Sequence, residues 1–296
     1  MNGVIIVNKP KAMTSFDVVA ILRKLTGIRK IGHTGTLDPD ATGVLPLCLG
    51  RATGAVEYLT EKDKKYRVSM KLGNQTDTGD SSGKTIKVMD VNVSKDDIEE
   101  VVMSFKGRIS QIPPMYSAIK INGEKLCNLA RKGIVVERQP REIEIFSIDV
   151  LEIDQNNCTF DVHCSKGTYI RTLCEDIATK LGTCGHMSNL IRTSSGKFSL
   201  EDSYTIEQLR VFAQNGSLNE KMIKVDKVLD FFECIVLSKE EAKRFLNGAY
   251  IKLNKQKYSL KNSELLFRIY QDDLFLGLGS IIIKEDEFIL KSKKLF

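Results

Sequence analysis

Gly32-His33-Thr34-Gly35-Thr36-Leu37-Asp38-Pro39-Asp40-Ala41-Thr42-Gly43-Val44-Leu45-Pro46 is the most constrained stretch of the chain. Its three glycines admit backbone angles closed to other residues, and its two prolines stiffen what they touch. Such a composition makes a rigid loop that presents a few polar side chains. The wider segment Gly32–Gly54 reads as too polar and too broken for a core element. Asp38 stands directly before Pro39, which biases its backbone to the extended region and lets its carboxylate be aimed. On composition alone the simpler reading is an Asx turn, in which Asp38 only satisfies nearby amides.

Working outward, Gly3–Val7 reads as a buried strand and Ser15–Leu25 as a helix with Ser15 as its N-cap. Lys65–Leu72 alternates as a strand, with Tyr66, Val68, Met70 and Leu72 on one face. Ser94 followed by Asp97 is a capping-box start for a helix through Phe105, and Lys125–Lys132 is a short helix stopped by Gly133. Glu142–Ile153 and Cys158–Cys164 read as strands joined by a polar turn, followed by a helix over Tyr169–Leu181. Strands and helices interleave without a βαβ period, which indicates an α+β fold. A second unit begins near residue 235. It consists of an amphipathic helix, Ser238–Leu246, N-capped by Ser238, and short strands around Leu266–Ile269, Leu274–Leu278 and Ile281–Ile283. That is the pattern of a small barrel-like accessory domain.

At 296 residues, 42% apolar and 28% charged, the chain has an ordinary globular composition. No apolar run approaches the roughly 20 residues of a membrane span. The opening Val4–Val7 is cut by Asn8, Lys9 and Pro10 before it could form a secretory signal, so the expected location is the cytoplasm. Seven cysteines without a C-x-x-C pair suit reduced thiols. Cys158, Cys164, Cys174 and Cys184 lie near His163 and His186, but not in the closely spaced pairs of a structural zinc site. Net charge is +6, and it is concentrated at the ends. Residues 1–36 carry six Lys/Arg against one acid, and residues 236–296 carry twelve against eight. The asymmetry hints at a nucleic-acid face. Gly79-Asp80-Ser81-Ser82-Gly83-Lys84-Thr85 imitates a phosphate-binding P-loop but is one residue short, and it lacks the flanking strand and helix.

The Gly32–Pro46 run resembles the signature loop of the bacterial tRNA pseudouridine-55 synthases. Four further blocks match that family in order: Asn8-Lys9-Pro10 with Thr14-Ser15; Lys65-Tyr66-Arg67-Val68 with Leu72-Gly73 and Thr76-Asp77-Thr78; Gln111 to Ala118; and Cys164 to Thr172. The departures are few. Ala12 stands where glycine is usual, Asn8 where aspartate is common, Cys127 for a frequent aromatic, and Ile191 where a second arginine commonly precedes Arg192.

The resemblance implies a pseudouridine synthase fold: a central mixed, largely antiparallel sheet flanked by helices, with a small C-terminal PUA-like barrel. It implies a catalytic domain over residues 1–235, an RNA-contacting insertion at about 120–141, and an RNA-binding domain over 236–296. It further implies a monomer without metal or cofactor, acting on the T-arm of tRNA in a basic cleft. No cofactor is needed in principle, because the isomerisation breaks C1′–N1 and joins C5 to C1′ without net oxidation. An anionic group near the ribose is needed, as nucleophile or base.

By resemblance that group is Asp38, paired with Arg171, which would favour its charged form. Tyr66 would stack on the flipped uracil and help to receive the C5 proton. Tyr169 would hold the aspartate–arginine geometry, and Leu190 would supply an apolar wall. His33 would assist base flipping, and Lys9 would brace the loop. A rival of another class is a tRNA-binding folding factor, which would lose nothing on Asp38→Asn.

Overall fold

The computed structural model describes residues 1–253, 265–284 and 287–296. Its described residues form a nine-stranded sheet and a five-stranded sheet, with two small hairpins. Along the large sheet the order runs Gly3–Lys9, Thr42–Leu49, Gly185–Ser195, Lys64–Leu72, Asn157–Cys164, Arg141–Asp154 and Gly107–Gln111. Ile31–His33 pairs with Thr42–Leu49 at its edge, and Phe198–Ser199 with Gly185–Ser195. Within this sheet, among the described strands, the pairing of Ile191–Arg192 with Thr42–Gly43 is the parallel one. The other pairings in this sheet are antiparallel, which makes it mixed and largely antiparallel.

Alternation explains how the sheet is buried on both faces. In Gly3–Lys9, Ile5 and Val7 enter the main core with Val18, Leu22 and Phe160. Val4 and Ile6 point the other way, into a second core with Val44, Cys48 and Leu229. Strand Lys64–Leu72 behaves as its alternation dictates. Tyr66, Val68, Met70 and Leu72 are buried, with Lys65, Arg67 and Lys71 exposed between them.

Thr42–Leu49 corrects the reading of Gly32–Gly54 as too broken for the core. From Gly43 onward every residue of this strand is buried. Pro46 is tolerated because of where its missing N–H falls. Its carbonyl accepts the Thr34 amide at 3.2 Å. A strand residue directs its N and O to the same side, so the absent donor faces the end of the short edge strand.

Helix Ser15–Thr26 is capped by Thr14, not Ser15. The Thr14 hydroxyl accepts from the Asp17 amide, and the Asp17 carboxylate accepts from the Thr14 amide. Either hydroxyl fits the sequence pattern; what decides is that Ser15 is drawn inward, to the loop. Among the elements that escaped the sequence reading are the edge strand Gly107–Gln111, the central strand Gly185–Ser195 and the helix Ile206–Gln214. The central strand's polar run Ser188-Asn189 and Arg192-Thr193-Ser194 hides its alternation.

The C-terminal sheet runs Cys234–Leu237, Leu265–Gln271, Leu274–Lys284, Glu287–Leu295 and Ile251–Leu253. Helix Lys239–Leu246 packs on it, capped by Ser238 as expected. Leu274–Lys284 is one strand where two short ones were expected, since Gly277 and Gly279 let neighbouring chain approach without breaking it. Residues 254–264 and 285–286 of the expected accessory unit lie outside the described residues. This sheet has its own core around Ile235, Phe245, Phe267 and Ile269, and it docks on the larger sheet through Leu278 in the second core. Arg268 donates to the Phe232 and Asp226 carbonyls, and Lys294 donates to the Gly54 carbonyl and pairs with Glu57.

Candidate active site

The loop carrying Asp38 is fastened from three sides by buried polar groups. Lys9, with no exposed surface, donates from Nζ to the carbonyls of Pro10 at 2.9 Å, Met13 at 2.6 Å and Pro39 at 2.9 Å. Burial pulls its pKa down to about 8, against the raising influence of Asp38 and Asp40. Ser15, also buried, accepts from the Leu37 amide at 2.9 Å and donates to the Leu37 carbonyl at 3.2 Å. The residue next to Asp38 is thus held by both of its backbone groups. Arg192 closes the third side, donating from Nε to the Val44 carbonyl at 2.7 Å and from Nη2 to the Gly35 carbonyl at 3.1 Å. At Gly43, φ is +105°, and a Cβ would stand 2.3 Å from the Arg192 carbonyl oxygen. Only glycine lets the loop return so close to the central strand.

Arg171 reaches this loop from the first turn of helix Ile170–Lys180. A cation there opposes the helix dipole, so its position requires partners of its own. It has them. Nε lies 3.1 Å from Asp38 Oδ2, and Nη2 lies 3.4 Å from Asp38 Oδ1. Nη2 also donates to the Tyr116 carbonyl at 2.8 Å, Nη1 to the Thr78 carbonyl at 3.2 Å, and Asp80 Oδ2 stands 3.9 Å from Nη1. The expected Asp38–Arg171 pair is present, but its electrostatics differ from expectation. Burial pushes the Asp38 carboxyl above its ordinary value, with Asp80 and Asp40 adding to the rise. Arg171 and Lys9 oppose that shift without cancelling it.

Leu190, buried, lines the cleft over Asp38 together with Met187, Asp80 and Lys11. Tyr66 is buried directly opposite Arg192 across the two central strands. Burial pushes its hydroxyl up to about 12, while the charge of the Arg192 guanidinium pulls the other way. Tyr169 is held by its backbone. Its amide donates to Gln111 Oε1 at 2.8 Å, and its carbonyl accepts from Gln111 Nε2 at 3.0 Å. The helix that presents Arg171 thereby starts at a fixed point. His33, half-buried, ends the edge strand, and its Nδ1 is buried without a partner. Burial first and Arg192 second lower its pKa, which keeps the imidazole neutral at neutral pH.

The immediate lining of the cleft is acidic, with Asp38, Asp40 and Asp80 beside Lys11, whereas a basic cleft was expected. Sequence reasoning missed Asp80, which it met only as part of the discarded P-loop, and the brace formed by Ser15 and Arg192. Segment 120–141 carries a hairpin, Lys120–Ile121 with Glu124–Lys125, and a helix, Leu126–Arg131. Beyond that helix Ile134 and Val135 are exposed. Among the described residues no cluster of His, Cys, Asp and Glu is arranged to hold a metal, and the seven cysteines are free. Among the same residues no helix is long and apolar enough to cross a membrane.

This mixed sheet flanked by helices, with a small C-terminal sheet beside it, is the fold of the pseudouridine synthases. A Cbf5–Nop10–Gar1 complex superposes with a TM-score of 0.74 at 28% identity, covering 99% of this chain and 84% of that one. An H/ACA RNP bound to a substrate RNA containing 2′-deoxyuridine gives 0.73 at 26%, covering 99% and 84%. The chain belongs to the TruB family: residues 23–170 match the TruB family pseudouridylate synthase N-terminal domain, and residues 171–236 the tRNA pseudouridylate synthase B C-terminal domain. It is 45% identical to tRNA pseudouridine synthase B of Clostridioides difficile over the full length of both chains. Identity is 47% to the same-named proteins of Clostridium tetani, over 94% of this chain and 95% of that one, and of Bacillus subtilis, over 86% and 85%.

Proposed function

We propose that this enzyme isomerises uridine 55 in the T-loop of tRNA to pseudouridine, with Asp38 as the group that acts on the ribose. The observation that carries the proposal is the Asp38–Arg171 pair, 3.1 Å between Nε and Oδ2, in a cleft walled by Leu190. In a folded T-loop the uridine is stacked, so it is extruded at a cost of a few kcal/mol. Stacking on an aromatic ring returns about 1–3 kcal/mol per base, and Tyr66 offers that ring. His33, neutral and with a free ring nitrogen, fills the vacated space and takes no part in proton transfer.

Asp38 then attacks C1′ or removes the C2′ proton; either route breaks C1′–N1, frees the uracil to turn, and ends with C5 joined to C1′. Arg171 keeps the carboxylate aimed through this sequence, and Tyr169 fixes the start of the helix that carries Arg171. Lys9 braces the loop through its three carbonyl contacts. The C5 proton leaves last, to the Tyr66 hydroxyl or to a water that it positions. With its pKa near 12, that hydroxyl starts protonated and gives up its own proton to water before it takes the new one.

We assign residues 1–235 to catalysis and 236–296 to RNA binding. The basic insertion at 120–141 closes on the T-arm, where exposed Ile134 and Val135 gain cover. The enzyme works as a monomer in the cytoplasm. The test is tritium release from tRNA labelled at uridine C5, comparing wild type with Asp38→Asn alongside a binding titration of both. Release by wild type alone, at matched affinity, is expected. Tight binding without release from either protein would leave a tRNA-binding factor on a synthase fold.

A further inference from the structure

Among the described residues Arg192 is the bulkiest fully buried side chain, 1% exposed, and no carboxylate among them pairs with it. A buried cation without a counter-ion is costly unless its donors are well used. Two donor groups, Nε and Nη2, serve the Val44 and Gly35 carbonyls. What remains of its charge is directed at the groups around it. It lowers the pKa of Lys9, Lys64 and His33, and its charge acts on the Tyr66 hydroxyl. The register places the two side by side. Arg192 and Tyr66 are directly opposed across an antiparallel pair, where Cβ atoms stand about 4.5–5.5 Å apart.

Bracing the loop explains two of the donor contacts but not why the residue is a cation. Backbone carbonyls are equally well met by a neutral amide, at a much smaller desolvation cost. A reaction that moves negative charge onto the opposite phenol oxygen does explain it. When the C5 proton comes off, the C5–H electron pair restores the ring double bond and the proton passes to the Tyr66 oxygen. The phenolic proton has by then left to water in the cleft, so the oxygen that takes the C5 proton is a phenolate. Between the two transfers it carries more negative charge than in the resting phenol. A fixed guanidinium beside it needs no reorganisation to stabilise that charge.

We infer that Arg192 is a positioning residue of the reaction, whose charge, fixed opposite Tyr66, stabilises the Tyr66 oxygen so that it can accept the C5 proton. The inference rests on the reading of Tyr66 as the group that handles that proton. It is tested by a double-mutant cycle between Arg192→Gln and Tyr66→Phe, read as single-turnover tritium release, with tRNA affinity and melting followed in each protein. Tyr66→Phe is expected to slow release by about 100-fold or more. Arg192→Gln alone should slow it by about tenfold or more, and by little further in the Tyr66→Phe background.

Placing 3-fluorotyrosine, a more acidic phenol, at position 66 should recover part of the rate lost by Arg192→Gln. Equal losses from Arg192→Gln in both backgrounds, or no recovery with the fluorinated phenol, would overturn the inference and leave Arg192 a loop brace. Undiminished release by Tyr66→Phe would instead remove Tyr66 from proton handling, and the inference with it. Should Arg192→Gln fail to melt cooperatively, Arg192→Lys enters the same cycle with the same criterion of non-additivity.

Discussion

Ser15→Ala deletes a single oxygen, yet that oxygen is where the first helix and the catalytic loop meet. It accepts from the Leu37 amide at 2.9 Å and donates to the Leu37 carbonyl at 3.2 Å, at a residue 2% exposed. Alanine leaves both backbone groups buried without their partner, and an orphaned buried group costs about 1–3 kcal/mol. Leu37 precedes Asp38, so part of that cost appears as misplacement of the carboxylate against Arg171. Each 1.36 kcal/mol of lost transition-state stabilisation slows the reaction about tenfold, so a loss between roughly fivefold and 150-fold in single-turnover rate is expected.

Thr14→Ala is the control one residue away. It removes the true helix cap, costs about 1 kcal/mol of stability, and leaves the loop alone. Denaturant unfolding of both variants, beside tritium release from C5-labelled tRNA, separates the two effects. Thr14→Ala should lose stability and keep its rate; Ser15→Ala should lose both. Equal destabilisation with unchanged rates in both would refute the idea that Ser15 positions the catalytic loop.

His33→Ala should slow modification of folded tRNA while sparing a short single-stranded uridine substrate, because only the former must be unstacked; equal losses on both would end the flipping role. Asp38 has its pKa raised by burial, so its contribution to stability is full below the ordinary carboxylate value and is lost as pH rises through the folded value. Asp38→Asn, which does not titrate, should therefore be spared the loss of stability that wild type shows as pH rises, a result that calorimetry across pH would check. For segment 120–141, hydrogen exchange should show added protection when tRNA binds; identical protection with and without tRNA would contradict closure on the T-arm.

Much of the site was legible from residue order because rigid loops are written in local chemistry. Three glycines and two prolines around Asp38 announce a fixed loop whatever surrounds it, and the matching blocks supply Arg171, Tyr66 and Tyr169 as its companions. Alternation in Lys64–Leu72 foretold which side chains face inward, because a strand's two faces follow from its backbone period. Capping boxes at Ser94 and Ser238 were equally local, each closing within four residues.

What the sequence could not decide depended on groups far apart in the chain. Thr14 and Ser15 are both good caps; the choice fell to Thr14 because Leu37, twenty-two residues on, claims the Ser15 hydroxyl. Thr42–Leu49 looks broken at Pro46, yet it becomes a core strand because Gly3–Lys9 and Gly185–Ser195 flank it. The Asp38 carboxyl is raised by its burial and not lowered by Arg171 alone, since desolvation is set by everything packed around a group rather than by one neighbour. Arg192 was one cation among forty-four in the sequence. Only the sheet, by setting it opposite Tyr66 and beneath both ends of the loop, made it part of the site.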